Sequence, residues 1–341
     1  MGNTEKKTGA NAVGHNSALT AVLTGLIDLF GNRRDFPPLD DGVRLEGKTI
    51  LITGANSGLG KAVAIDLARR GARVIMACRS GIPEAGEEVK TASGSSQVEM
   101  LPVDLSDLAS VAALCDTLRD RQVKLDITIL NAGLMPLNAR KSPQGYELMF
   151  AVHFLGNRLF LERCLKDGVI SQEGSEGDPA RIIFVASEAH QSSDPIDFNH
   201  FGEFVPYGVK DGLKHYGITK LHMVTHAIEL SRRLNPGGQV KVAVHALCPG
   251  PIASNIARES PAFIKVLLSP IMRLLFRSPE VAAEPVVYLA CSADMGKRTG
   301  SYLHMMREKL PSVAARDEAS GRQLWEKSAG LLHGYLQGQK Q

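Results

Sequence analysis

The chain has 341 residues and a formal net charge of +3, with 44% hydrophobic and 5% aromatic residues and 33 glycines. That length buries one large α/β core or two modest ones, and so small a net charge without a basic run excludes a nucleic-acid binder. Five scattered cysteines (Cys78, Cys115, Cys164, Cys248, Cys291), with no C-x-x-C, exclude a disulfide frame and a metal site, and they predict reduced core residues in a cytoplasmic protein.

Residues 1–44 form an N-terminal extension. Its first 16 residues are polar and rich in Gly and Asn, the composition of disorder, and position 6 is Lys6 where a myristoylation signal wants Ser or Thr. Leu19, Val22, Leu23, Leu26, Ile27 and Phe30 then mark one face of an amphipathic helix between Ser17 and Gly31. It is too short to span a bilayer, lacks basic residues on its polar face and shows no small-residue cleavage site. Docking on the main domain or on a partner is its expected role.

From residue 45 strands and helices alternate. The run Thr49-Ile50-Leu51-Ile52 reads as a buried parallel strand, followed by glycines at 54, 58 and 60 and a helical pattern over 61–70. Further strands are expected at 73–77, 98–103, 127–130, 181–185 and 240–247, with helices at 83–92, 108–122, 146–166 and 216–234. This rhythm predicts right-handed βαβ crossovers and a doubly wound parallel sheet whose ligands bind at the carboxyl ends of the strands. Residues 256–277 break it with a strongly apolar run, from Phe263 to Arg277, that holds Pro270 in the middle. Two alternatives follow: a lid over an apolar substrate, able also to touch a membrane surface, or a pair of packed helices.

The glycine loop Gly54-Ala55-Asn56-Ser57-Gly58-Leu59-Gly60 turns a strand into a helix. Small residues there let the backbone approach a pyrophosphate, and the first N–H groups of the helix face it. The spacing is G-x-x-x-G-x-G. Asn131-Ala132-Gly133 follows the fourth strand, Ser187 the fifth and Pro249-Gly250 the sixth, while Tyr216 and Lys220 stand four apart on one helix face. In this order T-G-x-x-x-G-x-G, N-A-G, S…Y-x-x-x-K and P-G resemble the short-chain dehydrogenase/reductase superfamily over residues 45–335, leaving 336–341 as a tail. Segments around Arg73–Arg79, Gly145–Phe150, Ser187–His190 and Leu324–Ser328 are similar to its retinol-dehydrogenase-like branch. Light-dependent protochlorophyllide reductases share much of this, but are expected to carry Cys after Pro-Gly, where this chain has Pro251. The resemblance implies a single Rossmann-type domain and an oxidoreductase acting on a lipophilic alcohol, ketone or aldehyde.

The chemistry can be argued from the residues. Moving a hydride between a carbinol and a nicotinamide needs a proton donor and acceptor beside it. A free Tyr titrates near ~10, and a neighbouring ammonium favours its anion. Tyr216 is thus the expected acid/base, Lys220 its tuner and a holder of the ribose hydroxyls, and Ser187 a donor to the substrate oxygen. At the end of the second strand, where an acid would signal NAD, stands Arg79, which suits the 2′-phosphate of NADP. The family likeness adds Asp104 and Leu105, after the third strand, at the adenine. His190 either lines the substrate pocket or is a satisfied structural histidine. His153 occupies the place where the family carries a water-holding Asn; it either carries part of the proton relay, titrating near neutrality, or packs the helix while Asn157 holds the water. A nucleotide-binding sensor with little turnover and a sugar-nucleotide epimerase are the rival classes. Homo-oligomerisation is left open by the sequence.

Overall fold

The computed structural model describes residues 34–172, 178–252 and 277–336. The expected helix at 17–31, nearly all of the apolar segment 256–277 and the tail after 336 lie outside these residues. Eight strands form one sheet in the order β3-β2-β1-β4-β5-β6-β7-β8. They are β1 (Thr49–Thr53), β2 (Arg73–Cys78), β3 (Val98–Pro102), β4 (Ile127–Leu130), β5 (Ala180–Val185), β6 (Val242–Cys248), β7 (Tyr302–His304) and β8 (Arg307–Lys309). The first seven run parallel and β8 returns antiparallel at the edge. The six expected strands are present within two residues at each end. β7 and β8 had no signal, because three-residue strands such as Arg-Glu-Lys carry neither an apolar run nor alternation.

The core divides by sheet face, as side chains with a period of two require. Along β1, Leu51 points into one apolar cluster, and Ile50 and Ile52 into the other. The first cluster lies under α3 (Leu108–Asp120), α4 (Gly156–Lys166), α5 (Gly212–Leu234) and α9 (Glu318–Leu336). The second lies under α1 (Gly58–Arg69), α2 (Glu84–Ser93) and α6 (Pro279–Cys291). Two short helices, α7 (Ala293–Gly296) and α8 (Val313–Arg316), complete the described elements. Residues 34–43 of the extension pack on this domain: Phe36 tilts against Tyr288 with ring centres 5.2 Å apart, Arg34 pairs with Glu284, and Leu39 and Val43 join the second cluster.

Two helices depart from expectation. The one expected at 146–166 opens with a π-helical segment, Phe150–Leu155, before α4. Asn157 closes that wide turn, its Nδ2 donating to the carbonyls of Val152 and His153. The helix expected to start at 216 starts a turn earlier, at Gly212, so Tyr216 and Lys220 sit inside it. All five cysteines are buried thiols, and no group of metal-binding side chains occurs among the described residues. No described helix is long and apolar enough to cross a membrane.

The buried histidines include His153, His190, His222, His226 and His245. Burial lowers the pKa of each, to about 4 for His222 and His245. The unfolded chain, with histidines at 6.5, takes up protons that the folded chain refuses. Stability is therefore complete above pH 6.5 and is lost as pH falls toward the folded values, each histidine removing about 1.4 kcal/mol per pH unit over its window. Denaturant midpoints measured at pH 7.5, 6.5 and 5.5 are expected to hold between the first two and fall steeply at the third. Equal midpoints at 6.5 and 5.5 would contradict neutral burial.

Candidate active site

The cofactor loop begins where β1 and β4 end side by side. Thr53 Oγ1 accepts the N–H groups of Asn131 and Ala132, both at 3.0 Å, and Asn131 Nδ2 donates back to the carbonyls of Thr53 (2.9 Å) and Gly54 (3.2 Å). The two strand ends are held so closely that Gly54, with φ +66°, would place a Cβ 2.9 Å from Ala132 Cα. A Cβ on Gly60 would lie 2.5 Å from the Gly54 carbonyl oxygen and 2.4 Å from Asn131 Nδ2. These two glycines are therefore needed by the protein's own packing. Thr53 was not singled out by sequence, although it opens the T-G motif.

A dinucleotide fits the remaining features. α1 starts with no side-chain bond from its cap Ser57 and no acid in its first turn, whereas Asp107 caps α3 by accepting the Ala109 N–H. The positive end of α1 thus faces the carboxyl edge without an anion of the protein's own. Asn56 ties this loop to the end of β2 by donating to the Ser80 carbonyl at 3.0 Å. Leu59 and Leu105 are buried in the apolar core, so a ligand meets their backbone and not their side chains. Arg79, 64% exposed, stands 3.9 Å from Asp104, too far for a firm pair. Asp104 itself accepts the Ser106 N–H and hydroxyl. Pro249 and Gly250 (φ +86°) follow β6 directly, and Arg277 donates to the Pro249 carbonyl.

Ser187 follows β5 and caps the tight turn Glu188–Ser192, its Oγ accepting the Ala189 N–H at 3.2 Å. Tyr216 comes beside it from α5: burial and the nearby Cys248 raise the phenol's pKa well above the ordinary value, against a smaller lowering by Ser187. Lys220 Nζ lies 5.5 Å from the Tyr216 ring centre and donates to the Val185 carbonyl at 3.1 Å. Burial pushes its pKa down to about 8. The expected lowering of Tyr216 by Lys220 is thus not present in the protein alone. Desolvation dominates, favouring the neutral form of each group, and at neutral pH the phenol keeps its proton.

His153 is placed differently from the expected relay. Its Nε2 accepts the Leu134 N–H at 3.1 Å, which fixes the proton on Nδ1. Nδ1–H donates to Thr219 Oγ1 at 2.8 Å, and that hydroxyl donates to the Tyr216 carbonyl at 2.9 Å. The ring also meets Tyr216 edge-on, centres 5.6 Å apart. Both nitrogens are engaged, and burial with the Lys220 charge holds the pKa well below the usual value. Titration near neutrality is therefore corrected to a ring held neutral at neutral pH, because an imidazolium there would be buried beside an ammonium and could not accept from Leu134. His190 takes the second of its two alternatives. Fully buried, it donates from Nδ1 to the Ser187 carbonyl (2.7 Å) and accepts the Ser312 N–H at Nε2 (3.3 Å), so it does not line an open pocket. Thr219 and Glu188 belong to the site and were missed, since each acts through a partner distant in sequence.

A neutral His153 contributes no ionisation to catalysis. The pH–rate profile of His153→Asn is expected to keep the parent's apparent pKa values, while His153→Leu, which strands the Leu134 N–H, should lose about 1–3 kcal/mol of stability. An inflection near neutrality that vanishes in His153→Asn would restore the relay.

Known proteins place this geometry. A family model described as short chain dehydrogenase matches residues 48–197. The chain is 34% identical over 295 residues to retinol dehydrogenase 13 of Homo sapiens, spanning 84% of this chain and 85% of that protein. It is 34% identical over 318 residues to dehydrogenase/reductase SDR family member 13 of Homo sapiens, spanning 91% of this chain and 80% of that one. Among solved structures, an uncharacterised protein from Mycobacterium paratuberculosis superposes with a TM-score of 0.67 at 26% identity, covering 87% of this chain and 98% of that one. With Ser187, Tyr216 and Lys220 gathered at the carboxyl edge of the sheet, the chain belongs to the short-chain dehydrogenases, in their retinol-dehydrogenase-like branch, and is an oxidoreductase of alcohol and carbonyl groups that uses a nicotinamide cofactor.

Proposed function

We propose that the protein interconverts an alcohol and a ketone or aldehyde on a lipophilic small molecule, using NADP. The observation that carries the chemistry is the convergence of Ser187 and Tyr216, with Lys220 one helical turn on and its Nζ 5.5 Å from the Tyr216 ring centre, all at the strand ends where a dinucleotide fits. The bound cofactor supplies or accepts the hydride. Ser187 Oγ–H donates to the substrate oxygen and orients it. Tyr216, protonated at neutral pH, gives its phenolic proton to that oxygen in the reducing direction and recovers it in the oxidising one. Lys220, with its pKa near 8, supplies positive charge behind the ring as the phenol loses its proton. The 34% identity to retinol dehydrogenase 13 of Homo sapiens supports a lipophilic substrate.

NADP is supported by Arg79. Its exposed guanidinium stands at the end of β2, loosely attracted to Asp104, free to pair in two-pronged fashion with a 2′-phosphate. α1's uncapped N-terminus would hold the pyrophosphate, with Asn56, Ser57 and Gly58 beside it, and Asp104 the adenine. Gly133 and the Pro249-Gly250 turn would flank the nicotinamide.

Two measurements test these assignments. With a panel of retinoid, steroid and aromatic carbonyls, Tyr216→Phe is expected to lower kcat by at least about 100-fold, the share of a positioned general acid; turnover unchanged would remove Tyr216 from the chemistry. Arg79→Glu should cut kcat/KM for NADPH about 10- to 100-fold, equal to one or two charge-assisted bonds, with NADH little affected. An unaltered preference would show that another residue chooses the cofactor.

A further inference from the structure

We infer that Glu188 is a positioning residue for Ser187, acting as the link of a clamp formed by the β7–β8 hairpin. This rests on the oxidoreductase reading of the site. Glu188 directly follows Ser187, and its carboxylate reaches across 114 residues of chain to accept the Tyr302 hydroxyl at 2.8 Å through Oε1. Oε2 accepts from Lys309 Nζ at 3.3 Å, and the same ammonium donates to His304 Nδ1 at 2.9 Å. Tyr302 and His304 belong to β7 and Lys309 to β8. Beyond the hairpin, Ser312 N–H donates to His190, and Gln191 Nε2 donates to the Leu310 carbonyl at 3.0 Å. The turn that carries Ser187 is thus bonded to one continuous stretch, 302–312, at four points.

On its other side this turn is pressed against α5 next to Tyr216. A Cβ on Gly217 would lie 2.6 Å from Ser193 Oγ and 2.9 Å from the Ala189 carbonyl oxygen. The turn cannot move toward the helix, and the hairpin keeps it from moving away. The hairpin also touches the cofactor side, where Met305 N–H donates to the Cys248 carbonyl at 2.7 Å and its side chain abuts Gly250. The short antiparallel edge therefore fixes the distance between Ser187 and Tyr216 without contributing a group to the reaction. A carboxylate serves where an amide would not: it accepts from a hydroxyl and an ammonium at once, and charge-assisted bonds are the stronger ones.

The test uses the full chain and its Glu188→Gln, Glu188→Leu, Lys309→Gln and Glu188→Gln/Lys309→Gln variants. Glu188→Gln turns an amide N–H toward an ammonium. Amide hydrogen exchange across 187–193 is expected to quicken at least tenfold in Glu188→Gln and to return toward the parent in the double variant, where amide faces amide. With a carbonyl that the parent reduces, kcat should fall tenfold or more in Glu188→Gln while NADPH binding, followed by its fluorescence, changes less than twofold, and the double variant should regain most of the loss. Parent-like exchange in both Glu188→Gln and Glu188→Leu, or a fall in cofactor affinity matching the fall in kcat, would overturn the proposal. If the parent turns over no carbonyl, the exchange result still decides the clamp, and only the oxidoreductase reading fails.

Discussion

The site depends first on the bonding between the ends of β1 and β4. Thr53 Oγ1 takes two backbone N–H groups from the far strand, and Asn131 returns two bonds from its side chain. Each contributes about 1 kcal/mol net to stability, but leaving any one unmet at a buried strand end costs more. Sheet order reverses between β1 and β4, and a doubly wound sheet opens its crevice there. Holding the strand ends together while the chain turns away on both sides admits only glycine at 54 and 60. The glycine signature thus answers to the architecture at two of its three positions, and the nucleotide inherits a backbone already bent for it.

The second constraint is desolvation. Lys220 is buried and Tyr216 is half-buried beside it, and the loss of water pushes the phenol up and the ammonium down. A tyrosinate–lysinium pair is not the resting state of such a place. The phenol instead stays protonated and is poised to yield when opposite charge builds nearby. Ser187, beside the phenol, tilts that balance toward the anion, and its own turn is held from behind by Glu188 and the hairpin. Control of the proton therefore extends to residues, Glu188 and its partners, that never meet the substrate.

Much of this was legible in the sequence. Strands β1 to β6 announce themselves because buried parallel strands are short apolar runs, and the residues that follow them line one edge by topology alone. The π-helical segment at 150–155 was not legible, since it keeps the apolar content of an α-helix and differs only in which carbonyls Asn157 takes. Nor was the start of α5 at Gly212, because Gly212-Leu213-Lys214-His215 carries no apolar period ahead of the recognisable Tyr216. The hairpin was invisible for a different reason. Its information lies in pairings such as Tyr302 with Glu188, and no local pattern encodes a partner more than a hundred residues away.

His153 shows how residue type and environment divide the work. In water an imidazole titrates near neutrality, which makes it the natural suspect wherever a proton must travel. Inside this domain it is enclosed on every side, faces an ammonium, and has a backbone N–H aimed at one nitrogen and a hydroxyl at the other. Those neighbours choose one tautomer and exclude the charged form. What survives of the ring is its shape and its two-ended polarity, which join the loop after β4 to the helix that carries Tyr216. His153 lies within the π-helical segment, where Asn157 Nδ2 donates to the Val152 and His153 carbonyls. A residue chosen by chemistry for proton transfer is used here for distance, and the same burial that silences it keeps Tyr216 protonated.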